Sequence, residues 1–395
     1  MSYTDRSLPP PKRNHSYTTQ VAHEVLARWD ARLGLAWIGL LGFLAIFAPF
    51  LANSHPLLLS KNGQLDSPLV HYLTPVDVVL LALFFTTLIL GLMQSSQRTW
   101  LWGLSGVLAL AGILSTALVH PPTLTIYEQY RQQEAAGNYD WVIYAPIPYS
   151  PKDYQRDRDE TGLQPPFASP AGDHWLGTEE NGADVLSRMI YASRISLGIG
   201  FIATGIAMAL GIFIGGFMGY LSGVIDIIGM RLVEIFEAVP TLFLLLTFVT
   251  FFERSLYMLM VIIGITSWSG YARYVRAEFL RLRQQDFVQA ALACGLPLHS
   301  ILFRHMLPNG IGPILVAASF GVASAILAEA VLSFLGLGLV DDPSWGQMLN
   351  QAVKSSTFNW WMATFPGGAI FLTVFAYNLI GEALRDAIDP YLKKS

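Results

Sequence analysis

Residues 195–221 read ISLGIGFIATGIAMALGIFIGGFMGYL. The run carries no charge and exceeds the roughly 20 apolar residues that a helix needs to cross a bilayer core. Within and just beyond it, Ala203, Ala207, Gly211, Gly215, Gly219 and Gly223 recur at every fourth position. Such a stripe of small residues lets another backbone approach one helix face. It reads either as general bundle packing or as contact with the bundle core beside a gating helix. Similar apolar runs lie at 34–52, 76–93, 100–119, 232–252, 256–275, 313–335 and 362–381, which makes eight. Over 395 residues, 53% are hydrophobic, only 13% are charged and the mean hydropathy is +0.45. An ordinary soluble domain carries about 25% charge. The expected fold is therefore an all-α integral membrane protein, a polytopic helical bundle of about eight transmembrane helices.

Orientation follows the distribution of Lys and Arg. Arg6, Lys12, Arg13, Arg28 and Arg32 precede the first run, and eight crossings return Arg385, Lys393 and Lys394 to the same side. The segment from Arg273 to Pro308, with Arg273, Arg276, Arg281, Arg283 and Arg304, falls there too. The short loops opposite hold only Lys61, Arg254 and Lys354. Both termini and the basic loop are thus expected in the cytoplasm. The 34–52 run ends on Leu51-Ala52-Asn53, which could pass for a cleavage site. The long Pro-rich lead with Pro9-Pro10-Pro11 argues instead for an anchoring helix. The chain divides into a cytoplasmic polar tail at 1–33, three transmembrane helices in 34–119, an extracytoplasmic insertion at 120–180 with the stretch YQRDRDE at 154–160, and a core of five spans at 181–395 whose cytoplasmic loop covers 277–310.

Several chemistries are excluded. A net charge of −4 and a pI near 6.1 give no reason to expect nucleic acid. The single cysteine, Cys294, forms no intrachain disulfide and reads as a small buried hydrophobe. No lysine lies between Lys152 and Lys354 and no Gly-Lys pair occurs, so no phosphate-cradling loop is present. The eight histidines form no metal-ligand pattern. Gly103-Leu104-Ser105-Gly106 matches the short pattern of rhomboid-type intramembrane serine proteases, but His120 sits at the end of the same helix and no other run offers a histidine base. Acids do occur in or near the runs: Glu234, placed to pair with Arg231 three residues earlier, Glu237, and the deeper Glu329. An uncompensated charge at such depth costs about 2.5–3.5 kcal/mol or more, so Glu329 is expected either in a structural polar pair or lining a watery pathway.

The stretch DFVQAALACGLPLHSILFRHMLPN at 286–309 lies in the basic loop. Its composition predicts two short helices joined at Gly295, where a left-handed residue ends the first, with Pro297 opening the second. Leu298, Ile301, Leu302 and His305 or Met306 then share a face, and Pro308 and Gly310 are expected to stop the second helix before the next span. Ala290 and Ala291 present small side chains to an approaching partner, so the loop reads as an amphipathic knob for a groove of another protein.

This stretch resembles the EAA loop of ABC-importer permeases, Glu-Ala-Ala, three residues, Gly, and then His-x-Leu-Pro-Asn. Ala290, Ala291, Gly295, His305, Leu307, Pro308 and Asn309 match, and Gln289 replaces the glutamate. WLGTEENGADVLSR at 175–188 is similar to the segment that opens the core of dipeptide/oligopeptide permeases of the C type, with Glu179 and Ala183 departing from it. YARYVRAE at 271–278, AEAVLSFLGLG at 328–338, PSWGQML at 343–349 and LRDAIDP at 384–390 extend the likeness over 175–390. Such permeases usually have one span before the core. The extended outer segment, with WVIYAPIPY at 141–149 and a Pro-rich lead into Trp175, is similar to the Yej branch, which imports oligopeptides and microcin C, whereas the additional runs at 76–93 and 100–119 have no assigned counterpart and read as peripheral helices that decorate the bundle.

The resemblance implies a permease subunit of a binding-protein-dependent peptide importer in a bacterial inner membrane, not itself an enzyme and without a cofactor of its own. Its implied partners are a second homologous permease subunit, two ATP-binding cassette subunits and an extracytoplasmic peptide-binding protein, within membrane lipid. Gln289, Ala290, Ala291 and Gly295 would meet an ATPase, and His305, Pro308 and Asn309 would fix the loop to the membrane core. The competing readings are an ion-coupled secondary transporter, which wants buried charge pairs and repeated broken helices that the sequence does not display, and the intramembrane protease.

Overall fold

The computed structural model describes residues 17–93, 97–122, 125–154, 165, 174–252, 254–339, 342–356 and 359–388. Pro9–Pro11, most of the 154–160 stretch and the closing Asp389-Pro390 with Lys393 and Lys394 lie outside the described residues. In chain order the elements are α1 (Tyr17–Ala27), α2 (Trp29–Leu51), β1 (Leu58–Lys61), β2 (Gln64–Asp66), α3 (Pro68–His71), α4 (Pro75–Leu92), α5 (Gln97–Leu118), α6 (Gln129–Ala135) and β3 (Trp141–Ile143). There follow α7 (Val185–Leu221), α8 (Gly223–Ala238), α9 (Thr241–Phe251), α10 (Leu256–Thr266), α11 (Trp268–Arg283), α12 (Asp286–Ala293) and α13 (Leu298–Ser300). A π-helical turn at Ile301–Met306 leads into α14 (Leu307–Phe334), then α15 (Trp345–Lys354) and α16 (Trp360–Ile388).

All eight apolar runs fall on helices, but not all on straight ones. Among the described residues, five helices are long and apolar enough to cross a membrane: 29–51, 75–92, 185–221, 298–334 and 360–388. The run at 232–252 is split between α8 and α9, which bend by 84°. Pro240 has no N–H to continue the ladder and forces Val239 into an extended conformation (φ −88°, ψ 122°). The run at 256–275 is likewise interrupted at Ser267 (φ −102°, ψ 2°), between α10 and α11. The remaining run holds the shorter apolar stretch Trp102–Ala117 of α5.

α7 is the axis of the bundle. Asp184 caps it by accepting from the Ser187 N–H at 2.7 Å. At about 1.5 Å per residue its 37 residues span about 55 Å, well beyond a hydrocarbon core of about 30 Å. The small-residue stripe is the seat of α11. A Cβ added at Gly211 would lie 2.3 Å from Tyr271 Cβ, at Gly215 2.3 Å from the Ala272 carbonyl oxygen, and at Gly219 2.6 Å from the Arg276 carbonyl oxygen. Gly223 leaves the stripe, because the chain turns into α8 there with φ +62°.

Two features correct the expected division of the chain. First, α2 belongs with the core rather than with α4 and α5. Gly34 packs against the Ala376 carbonyl of α16, Trp37 Nε1 donates to Thr373 Oγ1 at 3.1 Å, and Arg194 of α7 donates to the Ala45 carbonyl. The α4–α5 hairpin sits outside, held by the Arg194–Asp77 ion pair at 2.7 Å. Asp77 also completes a capping box with Thr74 at the start of α4. Secondly, the later part of the polar tail is ordered: α1 packs on α16, and Arg28, between α1 and α2, pairs with Asp30 and Asp386.

The insertion does not fold alone. β3 pairs with β1, from the connection between α2 and α4, and β1 pairs with β2, giving an antiparallel sheet of order β2-β1-β3. Beneath it, Ser54 Oγ donates to Asp153, Arg131 donates to Asp153 at 2.7 Å, and His55 stacks on Tyr72 at 3.6 Å. His174 joins this layer to the base of α7, bonding Asp184 at 2.9 Å and stacking on Tyr149. The sheet marks one end of the bundle. Arg28, Asp386 and the α12 loop lie at the other, so both described chain ends share the loop's end.

Two outcomes test this architecture. Gly215→Val should cost about 1–3 kcal/mol by overpacking and lower the melting temperature in detergent, whereas Gly205→Ala, with nothing within 4 Å of the added carbon, should not. Burial pushes His55 down to about 4, below its unfolded value of about 6.5. The unfolded chain therefore binds the extra proton between these values, and the sheet loses stability as pH falls from about 6.5 toward 4. Hydrogen exchange of the β1 amides should report that loss, and His55→Phe should flatten it.

Candidate functional site

The stretch 286–309 forms a knob at the end of the bundle opposite the sheet. Asp286 opens α12, where a carboxylate favours the N-terminal dipole. Gly295 ends it with φ +70°, and the Leu296 N–H returns to the Ala291 carbonyl at 3.2 Å. Val288 and Ala291 face inward, against Phe279 and Leu282 of α11 and against Ile301, Leu302 and Met306. The outward face shows Phe287, Gln289, Ala290, Leu292 and Leu296, with Phe303 beside them, all exposed.

The site residues divide differently from expectation. Gln289, Ala290 and Gly295 stand on the outward surface, but Ala291 is only 6% exposed. A two-turn helix lying on the bundle must bury one side, and Val288 and Ala291 are one turn apart on that side. The residues that seat the loop are Ile301, Leu302 and Met306. His305 is half-buried and Pro308 and Asn309 are exposed, with Asn309 Nδ2 donating only to the His305 carbonyl of its own helix at 2.7 Å. Nor does Pro308 stop the helix. The chain is helical from 298 to 334, and the π turn before Pro308 widens the helix where the missing N–H would break a regular ladder. Gln289 uses its amide to donate to the Arg283 carbonyl at 2.9 Å, capping the last turn of α11. A glutamate carboxylate could not make that bond.

A second candidate is a cavity of about 470 Å³ bounded by α7, α9, α10, α11 and α14 and by the end of α8. Thr204, Thr241, Thr266, Ser267, Ser269, Tyr271 and Tyr274 give it hydroxyls, Leu245, Ile263 and Phe320 give it apolar wall, and Glu237 is its one carboxylate. Glu237 pairs with Arg273 of α11. Glu234 pairs with Arg231 at the surface, as their spacing anticipates.

Glu329 is 1% exposed and faces away from that cavity, although Ala325 and Ala328 line it. Ser333 Oγ, one turn along the same helix, donates to its carboxylate Oε1 at 2.5 Å, while Oε2 is buried without a hydrogen-bond partner among the described residues. Ser105 points away from any base: its hydroxyl donates to the Trp102 carbonyl of its own helix at 3.2 Å. Cys294, expected to be buried, is exposed at the end of α12. The acid–arginine pairs between α8 and α11 were not anticipated, although Asp226 and Glu237, three helical turns apart, signalled one polar face on α8.

Residues 211–394 match the family model of the inner membrane component of binding-protein-dependent transport systems. The oligopeptide transport system permease protein OppC of Haemophilus influenzae is 38% identical over 220 residues, 55% of this chain and 71% of its own. OppC of Bacillus subtilis is 37% identical over 255 residues, covering 64% and 82% of the two chains. The glutathione transport system permease protein GsiD of Pectobacterium atrosepticum is 34% identical over 305 residues, covering 74% and 99%. With its core helices, its loop and these likenesses in agreement, the chain belongs to the family of inner-membrane permease components of binding-protein-dependent transport systems, in the OppC and DppC branch.

Proposed function

We propose that the chain forms one half of a transmembrane pathway for peptides, powered by ATPase subunits that dock on α12. The observation that carries this reading is the form of the knob. Its inner side is locked into the bundle through Val288 and Ala291, while Phe287, Leu292 and Leu296 stay bare outside. A soluble surface would gain nothing from such a patch, whereas a partner groove would bury it. The peptide substrate is supported by the relatives, which are permeases of oligopeptide, dipeptide and glutathione transport systems.

In this reading both termini and the α12 loop face the cytoplasm, as the Lys and Arg distribution demands. The β-sheet end faces outward, where a binding protein delivers substrate. A second, homologous permease subunit covers the exposed apolar faces of α8 and α9, at Val224, Ile228 and Phe243, and closes the cavity into a pathway. The chain holds no cofactor of its own. ATP binding draws the two ATPases together, α12 moves with them, and the helices switch between inward- and outward-facing states. In this reading Glu329, bonded to Ser333 of its own helix and turned from the cavity, has a structural role rather than a part in conduction.

The direct test is co-purification of the chain with its ATPase subunits, followed by ATP-driven peptide uptake in proteoliposomes. Transport by the chain alone would overturn the assignment. Leu292→Asp should lower ATPase recruitment and uptake by about tenfold or more, the scale of an interface anchor, with membrane insertion unchanged. Ala291→Trp should unseat the loop and increase its cleavage by added protease. Glu329→Gln should leave uptake rate and selectivity unaltered.

A further inference from the structure

α8 borders the cavity at one end and is fastened to α11 at both. Asp226, in its first turn, receives a two-pronged ion pair from Arg276, with Nη2 to Oδ2 at 2.6 Å. Glu237, next to its last residue, pairs with Arg273. At the corner just before α8, Arg283 Nη1 donates to Ser222 Oγ at 2.7 Å. Between the clamps, Val233 and Phe236 pack on the α7–α11 core. The opposite face of α8, at Val224, Ile228, Leu232 and Ile235, is bare. The polar face of α8 is therefore committed to α11 alone.

The other end of α11 is committed to the docking loop. Phe279 and Leu282 share one apolar cluster with Val288 and Ala291 of α12, and Gln289 bonds the Arg283 carbonyl. A displacement of α12 must therefore carry α11 with it. The two clamps, with the Arg283–Ser222 bond at the corner and the Val233–Phe236 packing, are the direct links from α11 to α8 among the described residues. Beyond Glu237 the chain turns through 84° into α9, whose Thr241 and Leu245 line the cavity. An elbow of this kind converts a small shift of α8 into a swing of α9.

We propose that Arg273 and Arg276 are transmission residues, which deliver motion of the α12 loop through Glu237 and Asp226 to the α8–α9 elbow and so to the cavity wall. The proposal rests on the transport reading above and adds to it the route by which the loop opens the pathway. The Arg273 and Glu237 side chains are 52% and 32% exposed and those of Arg276 and Asp226 26% and 15%. The more exposed pair adds little to stability, and for the more buried one the charge-swapped variants separate coupling from folding.

The measurement is ATP hydrolysed per peptide transported by the complete complex in proteoliposomes. Arg276→Gln and Arg273→Gln should each lower uptake by about three- to tenfold, the scale of a modulated coupling, while binding-protein-stimulated ATPase activity persists. Each variant would then spend more ATP per peptide. The charge-swapped pairs, Asp226→Arg with Arg276→Asp and Glu237→Arg with Arg273→Glu, should recover most of the lost coupling. An unchanged ratio in the single variants would overturn the proposal. So would a proportional fall of ATPase activity and uptake that the swaps do not rescue, since that marks a merely structural role. If a single variant fails to insert, Asp226→Asn and the swapped pairs carry the same comparison. A wild-type complex without ATP-driven uptake would instead sink the transport reading, and the proposal with it.

Discussion

Backbone contact between α7 and α11 is the constraint on which the rest depends. Two helices with ordinary side chains keep their axes about 8–10 Å apart. Gly211, Gly215 and Gly219 remove the intervening side chains, so that the Ala272 and Arg276 carbonyls lie directly on α7. In a bilayer, where lipid is as apolar as leucine, such fit stands in for the hydrophobic effect. It fixes the depth and angle of α11, and thereby the position of Arg273 and Arg276 opposite α8 and of Tyr271 in the cavity wall. The same device recurs at Gly34 against Ala376 and at Gly346 against Ala330, which bring α2 to α16 and α15 to α14.

Much of this was legible in the chain, and the failures have identifiable causes. Apolar runs and the spacing of glycines are local properties, so all eight helical segments and the α7 stripe could be read. Hydropathy does not register a change of direction, so the runs at 232–252 and 256–275 hide the Pro240 elbow and the Ser267 interruption. Pro308 was read as a stop because a regular helix cannot tolerate it, whereas a single π turn can. Small side chains at Ala290 and Ala291 suggest an open surface, but Ala291 lies one turn from Val288 on the buried side of α12. The arginines of α11 were treated as signs of topology, but two of them also bind carboxylates on α8. The pairing of β1 with β3 had no local signal, since short strands that flank two membrane helices show nothing of each other in sequence.

The loop itself illustrates how a motif and its physical setting can separate. Gln289 departs from the family's glutamate, yet its amide finds a use that an acid could not serve, at the Arg283 carbonyl. The exposed apolar face of α12 is built from Phe287, Leu292 and Leu296, beside the left-handed turn at Gly295 that ends the helix.

The sheet that straddles the α4–α5 hairpin has a consequence for the order in which the protein is made. β1 leaves the ribosome well before β3, and both hairpin helices must be inserted before the two strands can meet on one side of the bilayer. A hairpin inserted as a single crossing would strand β3 on the wrong side permanently. Strand closure therefore comes after the hairpin, and until then β1 keeps one unpaired edge, of the kind that invites pairing with another chain.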